Sequence, residues 1–308
     1  MLQTINQAII ATLVFFDLVD FPLKEEEIFN WLFAQETSEE INFSFSQENI
    51  KQSLNQLLDQ QIIAKKNQFY FLPGRENFIL IREQRRAVSE QKIDKVQKLI
   101  NCWLKHLPGI RAIFLSNSLA YLNAKEDSDV DLLIVAQKNR LWLTRLLAVL
   151  PLKIFNLRPT AQNKKDKFCL SYFISEDNLN LEPYEAQNEF SILVYWAVFV
   201  SPLFDRKNYW QKFCLANSWV KDFLPNFQFA EQNITQDFGY LAKEVEAVEK
   251  NFWETIAQKI QLWYLPDNLK KIMNLDGRVI VNDKIIKLHG NSQRKEIYDQ
   301  WQERIKKI

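Results

Sequence analysis

A carboxylate set inside an apolar strand constrains this chain more than any other feature. The run Asp129-Val130-Asp131-Leu132-Leu133-Ile134-Val135-Ala136 reads from Val130 onward as a buried strand dominated by Leu, Ile and Val. Residues two apart on a strand share a face, so Asp129 and Asp131 project together. Two carboxylates aimed at one point repel unless a cation or a proton sits between them. A hard divalent ion with oxygen ligands, Mg²⁺ or Mn²⁺, suits such a pair. The structural alternative places Asp129 at the strand entrance and makes Ser128-Asp129 turn chemistry. It fits Asp131 less well, because an unpaired carboxylate inside an apolar strand is costly.

The flanking pattern builds an α/β unit around that strand. Ile110–Leu115 reads as a strand, Ser118–Leu122 as a helical turn, and 123–128 as a polar loop. Leu141–Phe155 reads as a helix and Phe168–Ile174 as a third strand. At the strand-to-helix turn, Asn117-Ser118 offers backbone N–H groups and the Ser118 hydroxyl. Such a helix start receives phosphate. Metal and anion cradle converge on a nucleoside triphosphate.

Ser118, then Asp129-Val130-Asp131 after ten intervening residues, resembles the DNA polymerase beta superfamily of nucleotidyltransferases. That signature is a hydrophobic residue, Gly, then Gly or Ser, a spacer, and Asp-hydrophobic-Asp/Glu-hydrophobic. The stretch from Ser118-Leu119-Ala120 to Asn123-Ala124-Lys125-Glu126-Asp127-Ser128-Asp129 is similar to stand-alone bacterial nucleotidyltransferase domains, and the whole chain to uncharacterised members of that group. The resemblance implies that Asp129 and Asp131 are catalytic and hold Mg²⁺ (or Mn²⁺), with a nucleoside triphosphate as substrate. It implies that Asn117, Ser118 and Lys125 contact phosphate, with Arg140 and Arg145 as further candidates. Two departures stand out. The family glycine is Asn117, a residue that tolerates the left-handed region. The third carboxylate expected on the adjacent strand is missing from 168–174; Asp166 and Glu176 only flank it.

The expected fold class is α+β, with a winged-helix-like domain over residues 1–74, a connecting helix over 75–108, a nucleotidyltransferase core with a small mixed sheet over 109–182, and a helical region over 183–308. In the first unit Ile5–Asp17, Lys24–Phe33 and a segment opened by Ser46 and Gln47 read as helices. Ile62–Ala64 and Phe69–Leu72 read as strands around a polar turn at 65–68. A winged helix of this kind can set its third helix in a DNA groove; Lys51, Gln52 and Asn55 make that helix polar but hardly basic, so protein contact is the alternative. The basic residues of 75–106 interleave with acids, as on a solvated, salt-bridged face. Ile192–Phe204 reads as a buried helix stopped by Pro202, and 279–286 as a short hairpin.

Composition narrows the rest. Lys and Arg number 39 against 38 Asp and Glu, so no global charge draws the chain to nucleic acid or membrane. With two histidines and the scattered Cys102, Cys169 and Cys214, a histidine-rich metal site, a Ser-His-Asp triad and a disulfide framework are not expected. The cysteines read as core residues in a reducing compartment. The start lacks signal-peptide features, and no apolar run reaches the ~20 residues a membrane helix needs. A cytoplasmic, metal-dependent nucleotidyltransferase acting on an unknown acceptor is the leading expectation. The rival is a catalytically degenerate relative that senses nucleotide or binds DNA through the winged helix.

Overall fold

The first helix opens on a reciprocal cap: the Gln7 N–H donates to the Thr4 hydroxyl at 3.2 Å, and the Thr4 N–H to the Gln7 side chain at 2.9 Å. The computed structural model describes residues 4–34, 45–160, 162–184, 190–229, 250, 252–290 and 294–308. Helix α1 spans Ile5–Asp17, followed by β1 (Leu23–Lys24), α2 (Glu25–Asn30), α3 (Gln47–Asp59), β2 (Ala64–Lys66) and β3 (Phe69–Phe71). The three strands form an antiparallel sheet in the order β1-β3-β2. Lys65 and Lys66 lie in β2 rather than in the turn the sequence suggests. Asn67, at φ 58°, takes the left-handed position that a tight hairpin needs. Lys65 is engaged within the hairpin, its Nζ donating to the Tyr70 hydroxyl at 2.8 Å.

Helix α4 (Asn77–Cys102) connects this unit to the rest. Its cations are salt-bridged, several of them to acids on other elements. Arg82 donates to the Glu27 carboxylate and the Pro22 carbonyl. Arg85 reaches Asp20 at 2.7 Å and the Val19 carbonyl at 2.9 Å. Lys92 is buried and donates to the carbonyls of Glu126 (3.1 Å) and Ser128 (2.8 Å) and to Asp166 (2.9 Å). A buried ammonium satisfied by three oxygens fixes the loop that leads into Asp129.

The second part contains β4 (Ile110–Leu115), α5 (Asn117–Ala120), β5 (Val130–Ala136), α6 (Leu141–Ile154), β6 (Phe168–Ser175), α7 (Phe190–Phe199), β7 (Ser201–Asp205) and α8 (Tyr209–Ala216). It closes with α9 (Phe252–Trp263), α10 (Asp267–Lys270), β8 (Val279–Val281), β9 (Ile285–Leu288) and α11 (Arg294–Ile305). The six strands form one mixed sheet, β7-β4-β5-β6-β9-β8, in which β5 and β6 are parallel and every other pair is antiparallel. The fold is thus α+β with a mixed sheet.

Strand β7 corrects the reading of Ile192–Phe204 as one helix. Helix α7 ends at Phe199, and the apolar run continues as edge strand β7. A continuous apolar run does not distinguish helix from strand, and proline is tolerated on an edge. The 279–286 hairpin does form, and β9 extends the central sheet by pairing with β6. Its partner lies more than a hundred residues earlier, where no local pattern reports the pairing.

Alternation along the strands creates two cores. Leu133 and Val135 face one side with Ala112, Phe114 and Tyr172, under α7, α8, α11 and the N-terminal helices. Leu132, Ile134 and Ala136 face the other with Ile113 and Phe173, under α4, α6 and α9. The N-terminal unit shares the first core instead of closing its own. Trp301 of α11 donates its indole N–H to the Ala11 carbonyl at 2.7 Å, and the Tyr195 hydroxyl of α7 donates to the Trp31 carbonyl at 2.9 Å. Among the described residues no helix is long and apolar enough to cross a membrane.

Candidate functional site

Strands β4 and β5 bring the turn and the carboxylates together. Leu115 pairs with Leu132, and the Ser116 N–H donates to the Asp131 carbonyl at 3.2 Å. The next residue, Asn117, sits at φ 57°, the left-handed conformation expected where the resembling family has glycine. Its side chain is clamped from both ends. The Asn117 Nδ2 donates to Asp131 Oδ2 at 2.7 Å, and the Trp196 Nε1 of α7 donates to Asn117 Oδ1 at 2.7 Å. The side chain therefore points to the carboxylate.

The parallel pairing of β5 with β6 sets Cys169 opposite Asp131. One ligand atom from each of Asp129, Asp131 and Cys169 lies within 4.8 Å of the others, and all three residues are half-buried. Burial, reinforced by the charge of Asp129, pushes the Asp131 carboxyl up to about 6; hydrogen bonds from Asn117 and Cys169 and the charge of Arg158 oppose that rise. Burial and the charge of Asp131 push the Cys169 thiol up to about 12, so it stays protonated at neutral pH. Cys169 Sγ lies 3.2 Å from Ser171 Oγ, and Ser171 Oγ lies 2.8 Å from His289 Nε2. Burial, with Arg294 and Lys287 nearby, pushes His289 down to about 3, leaving a neutral imidazole.

The carboxylate pair fits a divalent cation by its chemistry. Two oxygen donors converge; burial first and the charge of Asp129 second disfavour a bare carboxylate at Asp131, and a cation would offset both. The neutral thiol adds a soft, weak third donor where the resemblance calls for a third acid. The flanking acids do not replace it. Asp166 is paired with Lys92 (2.9 Å) and Lys95 (2.6 Å). Glu176 is paired with Arg111 at 3.0 Å and accepts from the Lys138 N–H at 2.9 Å.

Of the residues expected from sequence, the fold brings together Asn117, Ser118, Asp129 and Asp131. Asn117 and Ser118 also line a cleft of about 300 Å³ with Trp196, His289 and Arg294. Lys125 is exposed in the preceding turn, where its carbonyl accepts from the Ser128 N–H and hydroxyl. Arg140 stands at the start of α6. Arg145 binds Gln261 of α9 and lies over the Phe173 ring, so it belongs to a helix interface. Sequence reasoning missed Arg158, whose half-buried guanidinium feels the charges of Asp129 and Asp131. It also missed Cys169, Ser171, His289 and Arg294. The two-residue spacing of Cys169 and Ser171 on one strand was the only local signal for any of them.

No family model, curated protein or solved structure matches this chain.

Proposed function

We propose that the chain is a metal-dependent nucleotidyltransferase that moves a nucleoside monophosphate from a nucleoside triphosphate to an acceptor. The observation that carries this reading is the convergence of Asp129 and Asp131 beside a left-handed turn bearing Ser118. In this reading β4-α5-β5-α6-β6 is the core of the DNA polymerase beta superfamily type, and α1–β3 is a winged-helix-like unit. Asp129 and Asp131 hold Mg²⁺ or Mn²⁺, and the bound ion supplies charge neutralisation at the α-phosphate. Ser118 and adjoining N–H groups hold the outer phosphates. Asn117 keeps Asp131 aimed at the ion, and Trp196 keeps Asn117 in place. The unpaired Cys102, Cys169 and Cys214 suit a reducing compartment such as the cytoplasm.

A second reading is favoured by one observation: a protonated thiol, Cys169, stands opposite Asp131. A neutral group there supplies no third charge and no base. A chain with that substitution would bind nucleotide without turnover and act as a regulator, through the polar face of α3 if DNA is its partner.

Titration of each of the four ribonucleoside triphosphates with Mg²⁺ or Mn²⁺ into wild type and the Asp129→Asn/Asp131→Asn variant, with pyrophosphate release followed in parallel, separates the readings. Metal-dependent binding lost in the variant is the expected result. Pyrophosphate release, with water or the protein's own hydroxyls as acceptor, identifies the enzyme; binding without release that persists when a cell extract is added as the source of acceptor selects the regulator. Absence of binding defeats both. A salt-dependent shift of duplex DNA tests the DNA role.

A further inference from the structure

Building on the nucleotidyltransferase reading, we propose that Arg158 is a catalytic residue that contacts the phosphate being transferred. Main-chain pairing fixes where Arg158 stands. It lies in the connection from α6 to β6, and that connection is tied to the first residue of β6 from both sides. The Phe168 N–H donates to the Leu157 carbonyl at 2.9 Å, and Arg158 Nη1 donates to the Phe168 carbonyl at 3.4 Å. The Val130 N–H donates to the Lys167 carbonyl at 2.8 Å, which holds the starts of β5 and β6 level. Phe168 lies opposite Val130, and Cys169 opposite Asp131.

The carboxylates are therefore flanked. Asn117 and Ser118 reach them from β4, on one side of β5, and Arg158 is anchored to β6, on the other. Asp129 and Asp131 act on the half-buried guanidinium by their charge. Its hydrogen bond goes to the Phe168 carbonyl. A guanidinium carries five N–H donors in a rigid fork that matches the oxygens of a phosphate. Arg145 of α6 feels the charge of Arg158 from behind. Two acids and two guanidiniums nearly cancel, so a divalent ion on the pair brings net positive charge to this end of the sheet. A polyphosphate meets that charge.

The order of the groups assigns the phosphate. With the outer phosphates at Ser118 and the carboxylates next, the phosphate that reaches Arg158 is the inner one, where the acceptor attacks. Negative charge spreads over its oxygens as the bond to pyrophosphate breaks, and a guanidinium fixed beside it stabilises that charge without moving. The same position accounts for the thiol at Cys169. Two carboxylates and a thiol offer ligands for one ion rather than two, and Arg158 carries the charge that a second ion would bring.

Two titrations of the full chain with opposite expected signs test this role. In the first, Mn²⁺ alone is titrated into wild type and Arg158→Gln. Removing a cation beside the carboxylates should tighten the ion by about threefold. In the second, Mn²⁺ complexes of the four ribonucleoside triphosphates and of pyrophosphate are titrated by calorimetry. Any triphosphate that wild type binds should bind Arg158→Gln about tenfold more weakly, the value of one charge-assisted contact. Pyrophosphate, which lacks the inner phosphate, should bind both proteins alike. A purely structural Arg158 would weaken the ion, the triphosphate and pyrophosphate together, and that result overturns the proposal. So does a triphosphate affinity that Arg158→Gln leaves unchanged, or an equal loss for pyrophosphate, which would put Arg158 on the outer phosphates. If Arg158→Gln melts well below wild type, Arg158→Lys carries the test: it keeps the charge and loses the fork, so Mn²⁺ binding should hold while triphosphate binding falls by a smaller factor. Wild type that binds Mn²⁺ but no triphosphate overturns the nucleotidyltransferase reading itself, before any variant is compared.

Discussion

The Asn117 side chain donates to Asp131 Oδ2 at 2.7 Å from a backbone position held at φ 57°. One residue thus does two jobs that separate substitutions can pull apart. Asn117→Gly keeps the left-handed turn and loses both side-chain hydrogen bonds, at a cost of about 2–3 kcal/mol. Asn117→Ala loses the same bonds and adds backbone strain, so it should be less stable than the glycine variant by about 1 kcal/mol more. Urea midpoints of the three proteins measure the difference. Equal stability of the alanine and glycine variants would show that the turn is not strained.

Asp131 makes the metal-free protein sensitive to pH. Its folded pKa of about 6 lies above the ordinary 3.8, so the folded state holds its proton longer than the unfolded state does. Stability from this group is full below about pH 4 and is lost as pH rises through about 6. Asp131→Asn removes the penalty and should stabilise the metal-free protein at pH 7.5 by about 2 kcal/mol, with the gain shrinking toward zero near pH 4. His289, depressed to about 3, has the opposite sign. Its contribution is present above about pH 6.5 and is lost as pH falls, so the variant must be compared with wild type at each pH. Thermal midpoints in EDTA across that range are the measurement. A variant less stable than wild type at pH 7.5 would contradict the account.

The placement of Cys169 opposite Asp131 predicts that an acid introduced there would act as a third metal ligand. Cys169→Asp should destabilise the metal-free protein by about 2–4 kcal/mol, because a third carboxylate joins two others. Saturating Mg²⁺ should recover most of that loss by binding only the folded state. Melting curves with and without Mg²⁺ check both halves, and a loss that Mg²⁺ leaves untouched would place the ion elsewhere.

The strand carrying the carboxylates was legible in the sequence because alternation and burial are local properties. Val130–Ala136, the turn at Asn117 and its left-handed tolerance all follow from neighbouring residues. The other half of the site was not legible. Cys169 acquires meaning only through the register of β6 against β5. Trp196 of α7, His289 just after β9 and Arg294 of α11 come to line one cleft with Asn117 only once the sheet is complete. The same limit hid β7, whose apolar run joins α7 without a break, and the burial of Lys92, which depends on the carbonyls of a distant loop.

A buried acid on α9 holds the helix that leads from β5 to β6. Glu254 accepts from the Trp142 N–H at 2.7 Å and the Leu143 N–H at 2.9 Å, at the start of α6, where N–H groups lack helical partners and a negative charge is favoured. Glu254→Ala should cost about 3 kcal/mol by leaving two donors unpaired, and Glu254→Gln about half of that. Chemical denaturation measures both; a neutral alanine variant would mean that solvent replaces the cap.

The most direct test of the central claim is a Mn²⁺ titration of the metal-free protein followed by electron paramagnetic resonance. Wild type should bind the ion, more tightly when nucleoside triphosphate is present. Asp131→Asn should weaken that binding by about tenfold or more, the loss of one charged ligand. Mn²⁺ binding that is the same in wild type and in Asp131→Asn, with and without nucleotide, would contradict a metal–nucleotide site at Asp129 and Asp131.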